Sequence, residues 1–258
     1  MRFSKTQIAL LLALLAGNAI ILYSPFDWAW LRYPAAAALT FVLPGWAWLP
    51  ILGWMQTWRA IERIILVAGL SSLFSALALL IALLLPGPFT ETPVLIALNL
   101  VSFAGLIFQL FPMVQSRIAD SKSNIEWPAR TVLLILLVIL AVAAVTRLTR
   151  LGYAEFHEDE LENMRLIVRA YKGEEYAPFL DSKGPIHWLL PAALWYLNGW
   201  LNEAIARTPV ALTSLLLVPT MFVLGRRLSG GRDAVGLAAA GFVALNGFFV
   251  AYARHVEN

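Results

Sequence analysis

Five carboxylates fall within the eight residues from Glu155 to Glu162 in the stretch YAEFHEDELENM: Glu155, Glu158, Asp159, Glu160 and Glu162, with His157 among them. Carboxylates packed together raise one another's pKa and a neighbouring cation lowers it. One acid of such a group can therefore act as a general base near neutral pH, given a substrate hydroxyl within hydrogen-bond reach. His157 is a second candidate base, or a metal ligand together with Asp159 or Glu160. A divalent cation is the one cofactor such a cluster would take, but carboxylate sites for hard cations have no signature short of their full ligand set. The plainest alternative is an acidic loop that only faces water.

Three features weigh against that alternative. The acids crowd the start of ELENMRLIVRAY, where the N-terminus of a helix favours negative charge. The same helix would place Leu161, Met164, Val168 and Tyr171 on one face, which suits a segment lying along a membrane surface. Finally, DSKGPIHWLL follows about 20 residues later, bringing Lys183 and Pro185 into an aromatic-rich segment. The Lys183 ammonium is placed to snorkel to lipid headgroups. Held at the same depth, it could instead bind the phosphate of a lipid-linked substrate and steady the charge that develops on it as it leaves.

The elements that position these residues are set by the solvent. The chain has 258 residues, of which 60% are hydrophobic and only 14% charged, against about a quarter charged in soluble domains. Apolar runs near the ~20 residues needed to cross a bilayer recur, and in lipid they must be helical to satisfy their own backbone groups. Spans are expected at 7–24, 33–55, 62–86, 93–115 and 131–150. The basic start before the first run also fits a secretory signal, but more spans follow at once, and a retained first helix is the simpler reading. With no cysteine there is no disulfide framework and no thiolate nucleophile. The net charge of +3 lies in short loops between apolar runs. There it reports orientation rather than affinity for nucleic acid, and no nucleic-acid partner is expected.

Arg2 and Lys5 precede the first span, Arg59 and Arg63 lie between the second and third, and Arg117, Lys122 and Arg130 between the fourth and fifth. By the positive-inside rule the N-terminus is cytoplasmic and five crossings carry the acidic stretch to the extracytoplasmic face. Parity then decides the fate of Ile186 to Trp200, 15 residues or about 22 Å of helix. If it crossed, Arg226, Arg227 and Arg232 would lie outside. It is therefore read as resting in the interface, where Trp188, Trp195, Tyr196 and Trp200 favour the headgroup level. Runs 207–224 and 234–252 complete the count. The expected fold is an all-α polytopic membrane bundle of about seven transmembrane helices, with interfacial helices in an outer loop. The polar segment 115–130 divides it into an N-terminal four-helix membrane region, residues 1–128, and a second part, residues 129–258.

A succession of short motifs in the second part resembles the GT-C superfamily of membrane glycosyltransferases, in particular the protein mannosyltransferase and aminoarabinose transferase-like group. These are His157-Glu158-Asp159-Glu160, then Lys183-Gly184-Pro185 with His187-Trp188-Leu189, Arg207-Thr208-Pro209, Gly225-Arg226-Arg227-Leu228 with Gly230, and Tyr252-Ala253-Arg254. The resemblance covers about residues 131–258, and Gly184 stands where that group has the first proline of K-P-P. It implies inverting transfer of a sugar from a polyprenyl-phosphate-linked donor to a hydroxyl of a lipid, glycan or protein acceptor, at the extracytoplasmic face of the plasma membrane. Asp159 would be the general base and Glu160 would orient it or the substrate. Lys183 would hold the donor phosphate with help from Arg254, and His157, His187 and Glu257 would contact substrate. Members of the group are usually longer, so the chain reads as the N-terminal part of such an enzyme, inactive alone if later spans complete the pockets.

Two other function classes fit the composition. A transporter or flippase would use the acids to bind protons or cations, although such sites lie near the bilayer midplane on broken helices. A membrane scaffold would use the outer loop only to dock a partner.

Overall fold

In the computed structural model, which describes residues 4–25, 28–51, 60–109, 130–174, 179 and 185–254, the chain is all-helical, with no strand among the described residues. The helices are α1 (Lys5–Tyr23), α2 (Ala29–Phe41), α3 (Leu43–Trp48), α4 (Ala60–Leu83), α5 (Glu91–Phe108) and α6 (Arg130–Leu148). They continue with α7 (Glu158–Tyr171), α8 (Ile186–Asn198), α9 (Glu203–Leu228), α10 (Asp233–Leu245) and α11 (Gly247–Tyr252). Five of them, α1, α4, α5, α6 and α9, are long and apolar enough to cross a membrane.

Two of the expected spans are each broken in two. The first breaks at Val42, where φ −126° and ψ −55° leave the helical region, and Pro44 sits in the first turn of α3. A proline there costs nothing, because the first turn of a helix has no intrahelical use for its N–H. The second breaks at Asn246, which is extended and caps α11 by accepting the Phe248 N–H at 3.0 Å. Polar sequence starts the unbroken helices in the ordinary way. Ser4 and Gln7 exchange bonds across the first turn of α1, and Asn202 accepts the Ile205 N–H at 2.8 Å to begin α9.

α3 packs unusually close to α4. The Gly45 N–H donates to Ser71 Oγ at 2.7 Å, and a Cβ on Gly45 would lie 2.0 Å from the Val67 carbonyl oxygen. Small residues at helix contacts allow this approach where no hydrophobic force drives helices together. Gly45→Ala is expected to lower stability by at least about 1–3 kcal/mol through overpacking. Gly69→Ala, in the same region but with nothing within 4 Å of its Cβ position, is the control. Thermal unfolding in detergent should separate the two, and equal melting temperatures would rule this packing out.

α8, with 13 residues, is shorter than the five helices able to cross a membrane, and most of its surface is covered by other helices. It packs among α2, α4, α5, α7 and α9, and Trp188, Leu189, Ala192, Ala193, Leu194 and Leu197 are fully buried. Of its aromatic residues Trp188 and Tyr196 are buried among neighbouring helices, and Trp200, beyond the helix, is largely exposed. A mainly apolar helix of this kind buries most of its surface against other helices. The larger of two buried clusters joins α1 to α5 with α7, α8 and the start of α9, while the smaller one lies between α6, α9 and α10.

Candidate functional site

α7 begins with a buried ion pair. Arg207, on the first turns of α9, donates from Nε to Glu160 Oε1 at 2.9 Å and from Nη2 to Oε2 at 2.6 Å, and both side chains are almost fully buried. The remaining guanidinium donors reach the carbonyls of Leu151 at 2.7 Å, Ala154 at 3.1 Å and Glu155 at 3.1 Å. All five N–H groups of Arg207 are in use, which a planar fork allows and a lysine ammonium does not. Glu160 is also the third residue of α7, and its Oε2 accepts the His157 N–H at 2.9 Å. One carboxylate therefore caps the helix and ties it to α9. Tyr153 and Phe156 rings flank the Arg207 guanidinium at 6.0 and 5.8 Å.

This lock decides where the neighbouring acid goes. Asp159, one residue earlier and about 100° around the helix, is exposed at the first turn, as are His157 and Glu158. No other described residue hydrogen-bonds its carboxylate. Glu160 thus holds α7 in place and does not reach solvent, so its part is positioning.

The buried face of α7 differs from the apolar face that the sequence suggests. Glu160, Asn163, Met164, Leu166, Ile167 and Ala170 are buried, whereas Leu161 and Tyr171 are exposed. The two polar residues belong to the buried side because each has a partner there. Asn163 Oδ1 lies 2.9 Å from His187 Nε2. Further along, the Tyr196 hydroxyl donates to the Ile167 carbonyl at 2.9 Å and the Phe89 N–H to the Ala170 carbonyl at 3.1 Å. Burial, and secondarily the neighbouring Tyr171, pushes the Tyr196 hydroxyl above the ordinary tyrosine pKa, so it remains a donor.

His187 lines an open cleft of about 440 Å³ with Leu190, Pro209, Thr213, Phe249 and Tyr252. The cleft is mainly apolar, with polar groups from His187, Thr213, Ser214 and Tyr252. Three of the separated motifs meet there: the segment after Lys183-Gly184-Pro185 through His187, Arg207-Thr208-Pro209 through Pro209, and Tyr252-Ala253-Arg254 through its first two residues. Asp159 stands one helical turn before Asn163 on α7, and Asn163 in turn meets His187 at the cleft.

Other sequence-predicted residues are placed differently. Arg254 donates to the carbonyls of Thr146 at 2.7 Å and Arg150 at 3.2 Å, and lies 5.0 Å from the Tyr153 ring centre. Its guanidinium caps the end of α6. Arg226 and Arg227 pair with Asp233 and with Glu62 at 2.7 Å, away from the cleft. Lys183 and Glu257 lie outside the described residues. Among the described residues there is no group of three or more His, Asp or Glu side chains arranged to hold a metal ion.

Sequence reading missed two buried arginines at this end of the bundle. Arg32 donates to the carbonyls of Ile21, Ser24, Leu197 and Asn198 and to Glu91, joining the ends of α1 and α8 to the start of α5. Arg147 donates to Ser214 and to the carbonyls of Val243 and Ala244 at the end of α10. Both satisfy carbonyls that the last turn of a helix leaves without partners. The signal was an arginine inside or at the edge of a membrane-length apolar run, which has to find buried acceptors.

No protein-family description matches this chain, and searches of curated proteins and of solved structures found nothing similar.

Proposed function

We propose that the chain carries the donor end of a membrane glycosyltransferase that moves a sugar from a polyprenyl-phosphate-linked donor to an acceptor hydroxyl. What supports this most is the arrangement around Asp159: an exposed carboxylate on a helix start immobilised by Glu160 and Arg207, one turn ahead of Asn163, whose partner His187 lines an apolar cleft with polar groups. An apolar wall suits the prenyl chain and the polar groups suit its phosphate and sugar.

In the proposed step the acceptor O–H gives its proton to the Asp159 carboxylate, and the oxygen attacks the anomeric carbon from the face opposite the leaving group. The bond between that carbon and the phosphate oxygen breaks, and polyprenyl phosphate leaves with the electron pair. Configuration inverts. Lys183, in the DSKGP segment just ahead of α8 in sequence, is the candidate for the phosphate charge, and a divalent cation, were one bound near the Asp159 carboxylate, would supply the same stabilisation. The reaction is assigned to the extracytoplasmic face of the plasma membrane, with the N-terminus inside, because the loops at the opposite end of the bundle hold the basic clusters.

Binding tests this without requiring turnover. A photoreactive polyprenyl-phosphate sugar incubated with the purified protein should label the peptides containing Leu190 and Phe249, with competition by unlabelled polyprenyl phosphate. Labelling spread evenly over α1, α4 and α5 would reject the cleft as the donor site. The transporter reading has less support, since the exposed acids stand at the start of α7 in a connection between spans.

A further inference from the structure

A second, open pocket lies at the same end of the bundle, lined in part by Leu151, whose carbonyl accepts from Arg207. It is an open recess of about 530 Å³ between the start of α2, the segment after α6, the end of α8 and the start of α9. Its chemistry differs from that of the His187 cleft. Trp30, Tyr33, Arg150, Asn198, Asn202 and Thr208 contribute to its lining.

Two of these residues point to a ligand. Asn198 is fully buried, its Nδ2 donates to the Trp200 carbonyl at 3.4 Å, and its Oδ1 has no hydrogen-bond partner. A buried acceptor left without a donor is costly, and a hydroxyl brought in through the cavity removes that cost. Arg150 is exposed, and no described residue accepts a hydrogen bond from its guanidinium. It is also the one described non-glycine residue with positive φ, at 53°. Glycine is the usual residue where a chain leaves a helix in this conformation, so an arginine there keeps its cation at the expense of backbone strain.

The remaining groups complete the set. Asn202 uses its Oδ1 to cap α9, which leaves the amide N–H₂ side to the cavity. The Tyr33 hydroxyl donates to Thr208 Oγ1 at 2.5 Å and has lone pairs to accept. Trp30 is largely exposed, an indole face of the kind that packs on the C–H side of a polyol. One cation, an amide donor, an unpartnered amide acceptor and an aromatic wall match an anionic, hydroxyl-rich ligand.

The geometry points to a binding site for a polyol phosphate in this cavity, with Arg150 on the phosphate and Asn198 accepting from a hydroxyl. The ligand has two sources with shared chemistry, a phosphatidylglycerol headgroup or a soluble glycerol phosphate. Binding here is independent of whether the His187 cleft transfers a sugar.

The test uses the purified 258-residue chain in nonionic detergent, with native mass spectrometry and thermal unfolding as readouts. Phosphatidylglycerol, phosphatidylcholine, sn-glycerol 1-phosphate, glycerol and inorganic phosphate are the probes. Retention of glycerol 1-phosphate would support a soluble ligand, and retention of phosphatidylglycerol alone, over phosphatidylcholine, a lipid one. Arg150→Gln should weaken binding about tenfold or more, while Arg165→Gln, another exposed cation, leaves it unchanged. Arg150→Gly adds a discriminating result: relief of the left-handed backbone raises the melting temperature while binding is lost, so the loss cannot be ascribed to unfolding. The site is rejected if no probe is retained, if glycerol or inorganic phosphate binds as well as the polyol phosphate, or if both Arg150 variants bind like the parent.

Discussion

Asp159→Asn is expected to lower sugar transfer by about 10²–10⁴-fold, the usual contribution of a general base, while membrane insertion and melting temperature stay unchanged. Asp159 is exposed and no described residue depends on it for a hydrogen bond, so its loss removes a proton acceptor without removing a support. Asparagine keeps the size and the preference for a helix start, and loses only the ability to take a proton from the acceptor hydroxyl. Transfer is to be measured with the purified protein in detergent, from a radiolabelled polyprenyl-phosphate sugar. Asp159→Glu should recover part of the rate. Parent-like turnover in Asp159→Asn would remove Asp159 as the base, and loss of donor binding in the same variant would make it a binding group.

The second large effect is on stability. Arg207→Met is expected to cost about 3–5 kcal/mol, because it leaves the Glu160 carboxylate buried without its cation and releases the carbonyls of Leu151, Ala154 and Glu155. Arg207→Lys should restore little, since one ammonium cannot span a carboxylate and three carbonyls. The double variant Glu160→Leu with Arg207→Met should lose less than the sum of the two single changes, with a coupling of about 0.5–3 kcal/mol. It will not return to the parent value, because the three carbonyls still lack donors. Chemical unfolding in detergent measures stability, and limited proteolysis between 151 and 158 reports whether the segment ahead of α7 has come loose. Single variants within about 0.5 kcal/mol of the parent would mean that the pair does not hold α7.

The two predictions separate chemistry from support at adjacent positions. Asp159→Asn affects rate at constant stability, and a change at Glu160 affects both. A scaffold that used the acidic stretch only for docking would tolerate Asp159→Asn and still be damaged at Glu160. Comparing these neighbours therefore distinguishes a transferase from a docking loop more sharply than either substitution alone.

Much of the fold was readable from residue order. Runs of apolar residues of bilayer length can only be helices, because the hydrocarbon offers backbone groups no other partner. α1, α4, α5, α6 and α9 accordingly lie where the apolar runs do. A helix beginning within the acidic stretch was equally legible, since acids gather where a helix leaves its N–H groups exposed, although it starts at Glu158 and not at Glu160. The breaks at Val42 and Asn246 were not, although Pro44 and Asn246 mark them, because hydropathy averaged over a window does not register one residue of altered backbone.

What the sequence determined by itself is the class of molecule and the apolar segments long enough to cross a membrane, both of which follow from local composition. What only the tertiary structure decided is how neighbouring acids divide their roles. Glu160 and Arg207 are far apart in the chain and meet because α7 and α9 start at the same end of the bundle. Once Glu160 is buried there, helical geometry turns Asp159 outward. Hydropathy ranks the two acids alike, because a polar side chain's burial is set by the partner that awaits it, and that partner comes from a distant part of the chain.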